Sequence, residues 1–274
     1  MKFELHCHTT HSRGSKIPTE ALTTPRDVFR VLKKKGFSGA AITDHDTTTG
    51  WKDARSEARR LKMVFIPGLE VSTSSGHVIG LGVTGKIAKG LPVEDTVERI
   101  HAQGGLAVAP HPFDLRSEGV GIDFMKCDAA EIFNSLNMSR IDNWRAKRKI
   151  KNTNVTPVGG SDAHTPSMLG MTANIMEAHD LDTALEQIRK AKVVVEGSYT
   201  PVPELVRWAR QRMIGSHDDI LRYIGKNYSR PRAALARHML SWFTKSESRL
   251  WNGLGYIAVG TAVVYSSMRL VAGK

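Results

Sequence analysis

Leu5-His6-Cys7-His8-Thr9, close to the start of the chain, is the stretch from which everything else is read. In an extended strand successive side chains alternate, so Leu5, Cys7 and Thr9 share one face and His6 and His8 the other. Two neighbouring imidazoles are poor core material, because each needs a hydrogen-bond partner or a metal. By itself a His-x-His pair is a weak signal. Its weight comes from His and acidic residues that recur where strands end: Asp44-His45, Glu70, His77, His111 and Asp162-Ala163-His164. Imidazole and carboxylate are the ligand set for Zn, Mn and Fe, and these places on one chain read together as a multinuclear metal centre.

Working outward, residues 9–24 form a polar loop. Thr24 then caps a helix that has Pro25 in its first turn and Gly36 as its stop. A small apolar strand at 39–43 ends at Asp44-His45-Asp46. A helix at about 50–61 and a strand at 63–66 lead to Gly68-Leu69-Glu70, and 71–83 holds one or two strands around Gly76-His77. The pattern continues with a helix at 92–103, a strand at 106–109 before Pro110-His111-Pro112, and a strand at 129–133 ending in Asn134. A basic helix at about 138–151, a strand at 155–158 before Gly159-Gly160-Ser161-Asp162, a helix at 181–191 and a last strand at 193–196 complete it. That is roughly seven βα units of an α/β fold, with the candidate ligands at the carboxyl ends of strands, where parallel barrels place their chemistry.

The chain has 274 residues, 41% of them hydrophobic, enough for one large domain and an appendage. Its two cysteines, Cys7 and Cys127, exclude a disulfide framework and fit a reducing compartment. Met1-Lys2-Phe3-Glu4 enters a strand directly, without a cationic-then-apolar leader. Net charge is +12, unevenly spread: residues 201–274 carry 12 Lys and Arg against 4 Asp and Glu. A basic tail suggests an anionic surface, either nucleic acid or lipid. Pro201 and Pro203 mark a boundary that divides the chain into a domain at 1–200, a basic helical extension at 201–249 and an apolar helix at 250–270. Residues 250–268 lack charge, and Trp251 suits an interfacial belt, so this last helix is expected either to span a membrane or to dock in a hydrophobic groove or a dimer interface. A span would tether a cytoplasmic barrel to the inner face of the membrane.

His6-Cys7-His8-Thr9, Ile42-Thr43-Asp44-His45-Asp46, Gly68-Leu69-Glu70-Val71-Ser72, Gly76-His77-Val78-Ile79-Gly80, Pro110-His111-Pro112 and Ser161-Asp162-Ala163-His164 occur in an order that resembles the PHP (polymerase and histidinol phosphatase) superfamily over about residues 1–200. The resemblance implies a distorted seven-stranded (β/α) barrel, here with a helical C-terminal tail. It also implies two or three divalent ions of Zn, Mn or Fe. Carried over motif by motif, His6, His8, Glu70 and Asp162 would hold the first ion. Glu70, as a bridge, would hold the second with His77 and His111, and His45 and His164 would hold the third. Where the family has an Asp for the third site, this chain has Arg13, whose guanidinium could grip a substrate phosphate instead. His45 or His164 could protonate the leaving oxygen. Asp46 is placed either to orient a ligand imidazole or to cap a loop, and Asn134 either contacts substrate or shapes a turn.

The expected activity is that of a metal-dependent phosphoesterase acting on a small phosphomonoester or nucleotide. A nuclease acting on RNA or DNA ends is the second reading, favoured by the basic tail, and a non-catalytic scaffold the third.

Overall fold

Short apolar runs that can be satisfied only as inner strands pair into one nine-stranded sheet in the computed structural model, which describes residues 1–14, 17–246 and 248–271. The strands are β1 (Lys2–Glu4), β2 (Phe37–Ile42), β3 (Val64–Thr73), β4 (Gly76–Leu81), β5 (Leu106–Ala109), β6 (Ala129–Asn134), β7 (Thr156–Gly160), β8 (Thr172–Ile175) and β9 (Val194–Gly197). Their spatial order is β7-β6-β5-β4-β3-β2-β1-β8-β9. The runs β1-β2-β3 and β5-β6-β7 are parallel, while β4 is antiparallel to both its neighbours and β8 to both of its own. The sheet curls into a nearly closed barrel, so the α/β expectation holds and the count of seven strands becomes nine.

Strands β8 and β9, of which only the second was expected, have a physical role. At the carboxyl end of β1 the chain pairs directly with the segment after β7: Asp162 N–H donates to His6 O (2.9 Å) and His8 N–H to Ala163 O (2.9 Å). At the other end that seam is opened by the β8–β9 hairpin, and β8 pairs with β1 through Phe3 and Asn174. The buried side chain of Asn174 laces β8 to β7. Its Oδ1 accepts from Gly159 N–H at 2.8 Å and its Nδ2 donates to Gly159 O at 2.7 Å. Asn174 thereby replaces a ladder bond where two strands diverge.

Helices cover the outside. α1 (Pro25–Lys34) begins as its sequence requires, with Thr24 Oγ1 accepting from Asp27 N–H and Pro25 in the first turn. Val28, Phe29 and Leu32 bury against Cys7, Phe37 and Ile42. Cys7 therefore points to the apolar side, as strand alternation demands, and both cysteines are free and buried. α2 (Trp51–Arg60), α3 (Val93–His101), α4 (Arg140–Ile150) and α5 (Leu181–Arg189) complete this layer. They pack the apolar side chains of the strands away from water, the dominant favourable contribution to folding.

Beyond Pro201 come α6 (Val202–Gly215), α7 (His217–Asn227), α8 (Arg230–Lys245) and α9 (Leu250–Val271). α6 is stitched to the ligand end of the barrel. Trp208 Nε1 donates to Glu20 O at 2.8 Å, and the Glu204 carboxylate accepts from Thr165 Oγ1 at 3.1 Å and from Ser167. Among the described residues no helix is long and apolar enough to cross a membrane, so neither the span expected at 250–270 nor the tether built on it finds support. α9 has the groove-docking alternative instead. A methyl group added at Gly255 would meet Val202 and Val206 of α6 at 2.8 Å, so the glycine permits close helix contact. Ser266 Oγ donates to Asp142 Oδ1 of α4 at 3.0 Å. Trp251 packs on Trp242 and Phe243, with ring centroids 4.5 and 4.7 Å away, rather than standing in a belt.

If the Asn174 lace holds the seam, Asn174→Ala leaves the buried Gly159 N–H and C=O without partners and should cost about 2–4 kcal/mol. Urea unfolding of the variant measures this; a loss below about 0.5 kcal/mol would remove the lace from the account of closure.

Candidate metal centre

Parallel strands deliver side chains to one end of a barrel, and the predicted residues converge there. His6 and His8 follow β1, His45 follows β2, His111 follows β5, and Asp162 and His164 follow β7. Glu70 lies in β3 and His77 in β4, where the hairpin pairs Ser72 with His77 and brings both to the same rim.

Glu70 occupies the middle. Its Oε2 lies 3.4 Å from His6 Nε2, 3.2 Å from His8 Nε2 and 3.5 Å from His45 Nδ1. Its Oε1 lies 3.0 Å from His77 Nδ1 and 3.3 Å from His111 Nε2. Each oxygen thus faces its own set of imidazoles. Asp162 Oδ1 stands opposite, 3.5 Å from His6 Nε2, 3.3 Å from His8 Nε2 and 3.6 Å from His164 Nδ1. Among the described residues, four groups of ligand atoms converge to within 4.8 Å: His6–His8–Glu70, His6–His111–Asp162, His8–Asp162–His164 and His45–Glu70–His77. His45 and His164 do not form one group. His45 sides with Glu70 and His77, whereas His164 sides with His8 and Asp162.

Neighbouring residues fix the imidazoles. His6 Nδ1 faces Glu131 Oε1 at 2.8 Å and His8 Nδ1 faces Ser12 Oγ at 3.2 Å, which leaves both Nε2 atoms to the centre. His164 Nδ1 donates to Asp162 O at 2.8 Å. Glu131 also accepts from His111 N–H and from Asn134 Nδ2, both at 2.8 Å. Its carboxylate crosses directly over Gly160, where an added methyl would come within 1.8 Å of Oε1, so a glycine is required there. Three non-glycine residues at this rim hold positive φ: Asp46 (52°), His111 (29°) and Asp162 (52°). Such conformers cost ~1–3 kcal/mol each and persist where surrounding bonds over-determine them; here Asp46 N–H donates to Glu70 O and Asp162 N–H to His6 O.

The electrostatics are those of a site made for cations. Burial would raise the Glu70 carboxyl, but His45, His77 and His6 around it hold it well below the carboxylate range. Burial likewise opposes ionisation of Asp162, and His6, His8 and His164 lower it well below its usual value. Burial disfavours charge on His8, yet hydrogen bonds and attraction from Asp162 and Glu70 carry it up to about 10. His45 goes the other way, lowered to about 3 by burial, with His8 and His77 beside it adding to that effect against the pull of Glu70. Its neutral form is the ligating one, and it makes His45 a poor resting proton donor. Glu70 Oε2, His45 Nδ1, His77 Nδ1 and His111 Nδ1 are buried and lack a well-aligned hydrogen-bond partner. Buried carboxylate oxygens and imidazole nitrogens so arranged fit divalent ions.

Other expected residues fall elsewhere. Asp46 accepts from Ser72 N–H at 2.9 Å, so it caps the loop rather than orienting an imidazole. Asn134 is fully buried; its Oδ1 accepts from Leu136 N–H and its Nδ2 serves Glu131, so it shapes the turn. Asp44 accepts from Thr9 and faces away from the centre. Arg13 is exposed and lines a mouth cavity of about 420 Å³ with His45, His77, Lys89 and Arg212.

Sequence reasoning missed Glu131, Glu20, Arg116 and Arg212. Glu20 Oε1 lies 3.8 Å from His45 Nε2, and its Oε2 accepts from Ser12 Oγ at 2.9 Å. Arg116 Nη2 lies 3.7 Å from Asp162 Oδ2. The signal for Glu131 was an acid in the apolar strand Ala129–Asn134, since a buried carboxylate needs a partner.

Comparisons with known proteins agree with this geometry. Residues 140–193 match the PHP-associated family model. An uncharacterised protein of Methanocaldococcus jannaschii is 36% identical over 156 residues, covering 55% of this chain and 91% of that one. A 3',5'-nucleoside bisphosphate phosphatase of Chromobacterium violaceum is 36% identical over 84 residues, 29% of this chain and 27% of its own length. A 5'-3' exoribonuclease of Escherichia coli is 40% identical over 87 residues, 30% of this chain and 27% of its own length. The chain thus spans little more than a quarter of these two enzymes. Among solved structures, a two-domain protein of Bacteroides vulgatus containing a predicted PHP-like metal-dependent phosphoesterase superposes with a TM-score of 0.58 at 17% identity, over 72% of this chain and 65% of that one. With the motifs in order and their side chains gathered around Glu70, the chain belongs to the PHP superfamily.

Proposed function

We propose that this protein is a metal-dependent phosphoesterase that hydrolyses a small phosphomonoester or nucleotide. The observation that carries the reading is Glu70, whose two oxygens face separate sets of buried imidazoles at 3.0–3.5 Å. His6, His8 and Asp162 would hold one ion with Glu70, and His77 and His111 a second; His45 and His164 flank the pair. Divalent ions bound there supply Lewis acidity that activates water at neutral pH and neutralises phosphate oxygens.

The chain's own residues do the rest. Arg13, Lys89 and Arg212 at the mouth, with Arg116 beside Asp162, attract and orient a phosphate dianion. Glu131 holds the His6 ring with Nε2 inward. His45 and His164, held neutral by burial, offer ring nitrogens that could hold an ion or hydrogen-bond a phosphate oxygen, rather than the proton the leaving oxygen needs. A second reading, cleavage of RNA or DNA ends, is favoured by the cationic mouth and by the exoribonuclease relative. Steep loss of affinity with salt would mark it.

The first test is metal analysis of the purified protein followed by a phosphatase panel with and without Mn. At least two ions per chain and Mn-dependent phosphate release are expected, and Glu70→Ala should lose both. Wild-type turnover in that variant refutes a shared carboxylate. Glu131→Gln should weaken metal binding about 10–100-fold by releasing His6, read by chelator competition.

Arg13→Ala should raise KM for a phosphomonoester more than it lowers kcat, because a phosphate grip acts on ground and transition states alike. Unchanged kinetics with a lower melting temperature would assign Arg13 to structure.

Metal loading should be proton-linked. The charge on His8, with its pKa raised to about 10, stabilises the metal-free fold fully below the ordinary imidazole value of about 6.5. That contribution fades as pH climbs toward about 10. Because a divalent ion displaces the same proton, the gain in melting temperature on adding Mn should widen from pH 6.5 to 9. A gain independent of pH would contradict this linkage.

A further inference from the structure

Beside the metal centre lies a cavity of about 470 Å³ between the barrel rim and the tail helices α6, α8 and α9. Its walls are aliphatic and aromatic, among them Leu205, Val206, Trp208, Phe243, Trp251 and Leu254. The polar groups at its edge are engaged with the protein. Asp114 accepts from the N–H groups of Glu118 and Gly119. Asn137 Nδ2 donates to Asn143 at 2.7 Å, and Asp142 accepts from Ser266. What these walls offer a ligand is apolar surface rather than the donors and acceptors that would read a nucleobase.

This cavity adjoins the metal centre at three residues. Arg116 lines it while reaching within 3.7 Å of Asp162 Oδ2. Trp208 lines it while packing on His164, ring centroids 4.5 Å apart. Arg212 lines both it and the mouth cavity that holds Arg13, His45 and His77. An apolar slot thus opens where Arg116, paired with Asp114 and Glu118, reaches Asp162 and where Arg212, donating to Thr19 O, lines the mouth.

We infer that the site takes an amphiphilic phosphomonoester, with the phosphate at the metal centre and a single alkyl or isoprenoid-like chain in the slot under α6 and α9. The inference rests on the phosphoesterase reading above and narrows its substrate class. The reaction is hydrolysis: a water oxygen bonds to phosphorus, the ester P–O bond breaks, the alcohol leaves with a proton, and inorganic phosphate remains. A chain in the slot is removed from water while the dianion meets Arg116 and Arg212, so head and tail are both satisfied in one pose.

The test compares butyl and decyl phosphate, below their micelle concentrations, on the Mn-loaded full-length protein. kcat/KM should rise roughly tenfold or more from butyl to decyl, as each buried methylene can contribute up to about fourfold. Ala258→Trp, which places an indole in the slot from its α9 wall, should abolish that rise and leave butyl phosphate hydrolysis unchanged. Ala209→Trp on α6 makes the same test from the facing wall should the first variant fail to fold. Equal turnover of both esters by the wild type overturns the inference and leaves the phosphoesterase reading standing. If neither ester is hydrolysed, calorimetric titration of the protein with decyl phosphate decides the slot alone: binding that Ala258→Trp removes upholds it, and no binding overturns it.

Discussion

One buried carboxylate organises this protein. Glu70 has both oxygens inside a ring of five imidazoles, fully out of water, in an environment that neither a neutral core nor a simple ion pair would satisfy. Charge taken out of water must be matched nearby. Much of the rim follows from that demand. Asp162 adds a second negative charge, Glu131 turns His6 toward the centre, and Gly160 gives Glu131 room to pass. The positive φ angles at His111 and Asp162 are local costs that the same network sustains.

The sequence showed the centre more clearly than its supports. That His6, His8, Glu70, His77, His111, Asp162 and His164 would gather was legible because imidazole and carboxylate are ligand types, alternation put His6 and His8 on one face, and the motifs recur in an order resembling the PHP superfamily. Glu131 was not, since one acid in an apolar strand carries no spacing by which to assign its partner. Arg116 sits in a loop, where no periodicity operates, and its approach to Asp162 depends on a turn built by Asp114. β8 was missed for a related reason. Thr172-Ala173-Asn174-Ile175 is short and half polar, and its strand character comes from the gap it fills between β1 and β7.

The tail shows how an uncharged run can mislead. Residues 250–268 lack charge, which fits a lipid-facing helix and a helix lying along a protein surface equally well. The deciding residues are small or polar. Gly255 admits the side chains of Val202 and Val206, and Ser266 finds Asp142, contacts that make sense only against a folded partner. The outer face of α9 still exposes Tyr256, Ile257 and Val264. The basic residues before it are distributed over α6, α7 and α8.

The seam between β1 and the segment after β7 also bears on how the molecule comes into being. His6 and His8 come from the first strand, Asp162 and His164 from a point some 155 residues later, and backbone bonds across that interval join them. Pairings so distant in sequence are slow to form, because the intervening chain must be ordered before they contribute. A nascent chain that has not yet released its seventh and eighth strands has imidazoles but no Asp162 to complete them. The ligand groups that include Asp162 are therefore the last to be completed, and their assembly certifies that the ring has closed.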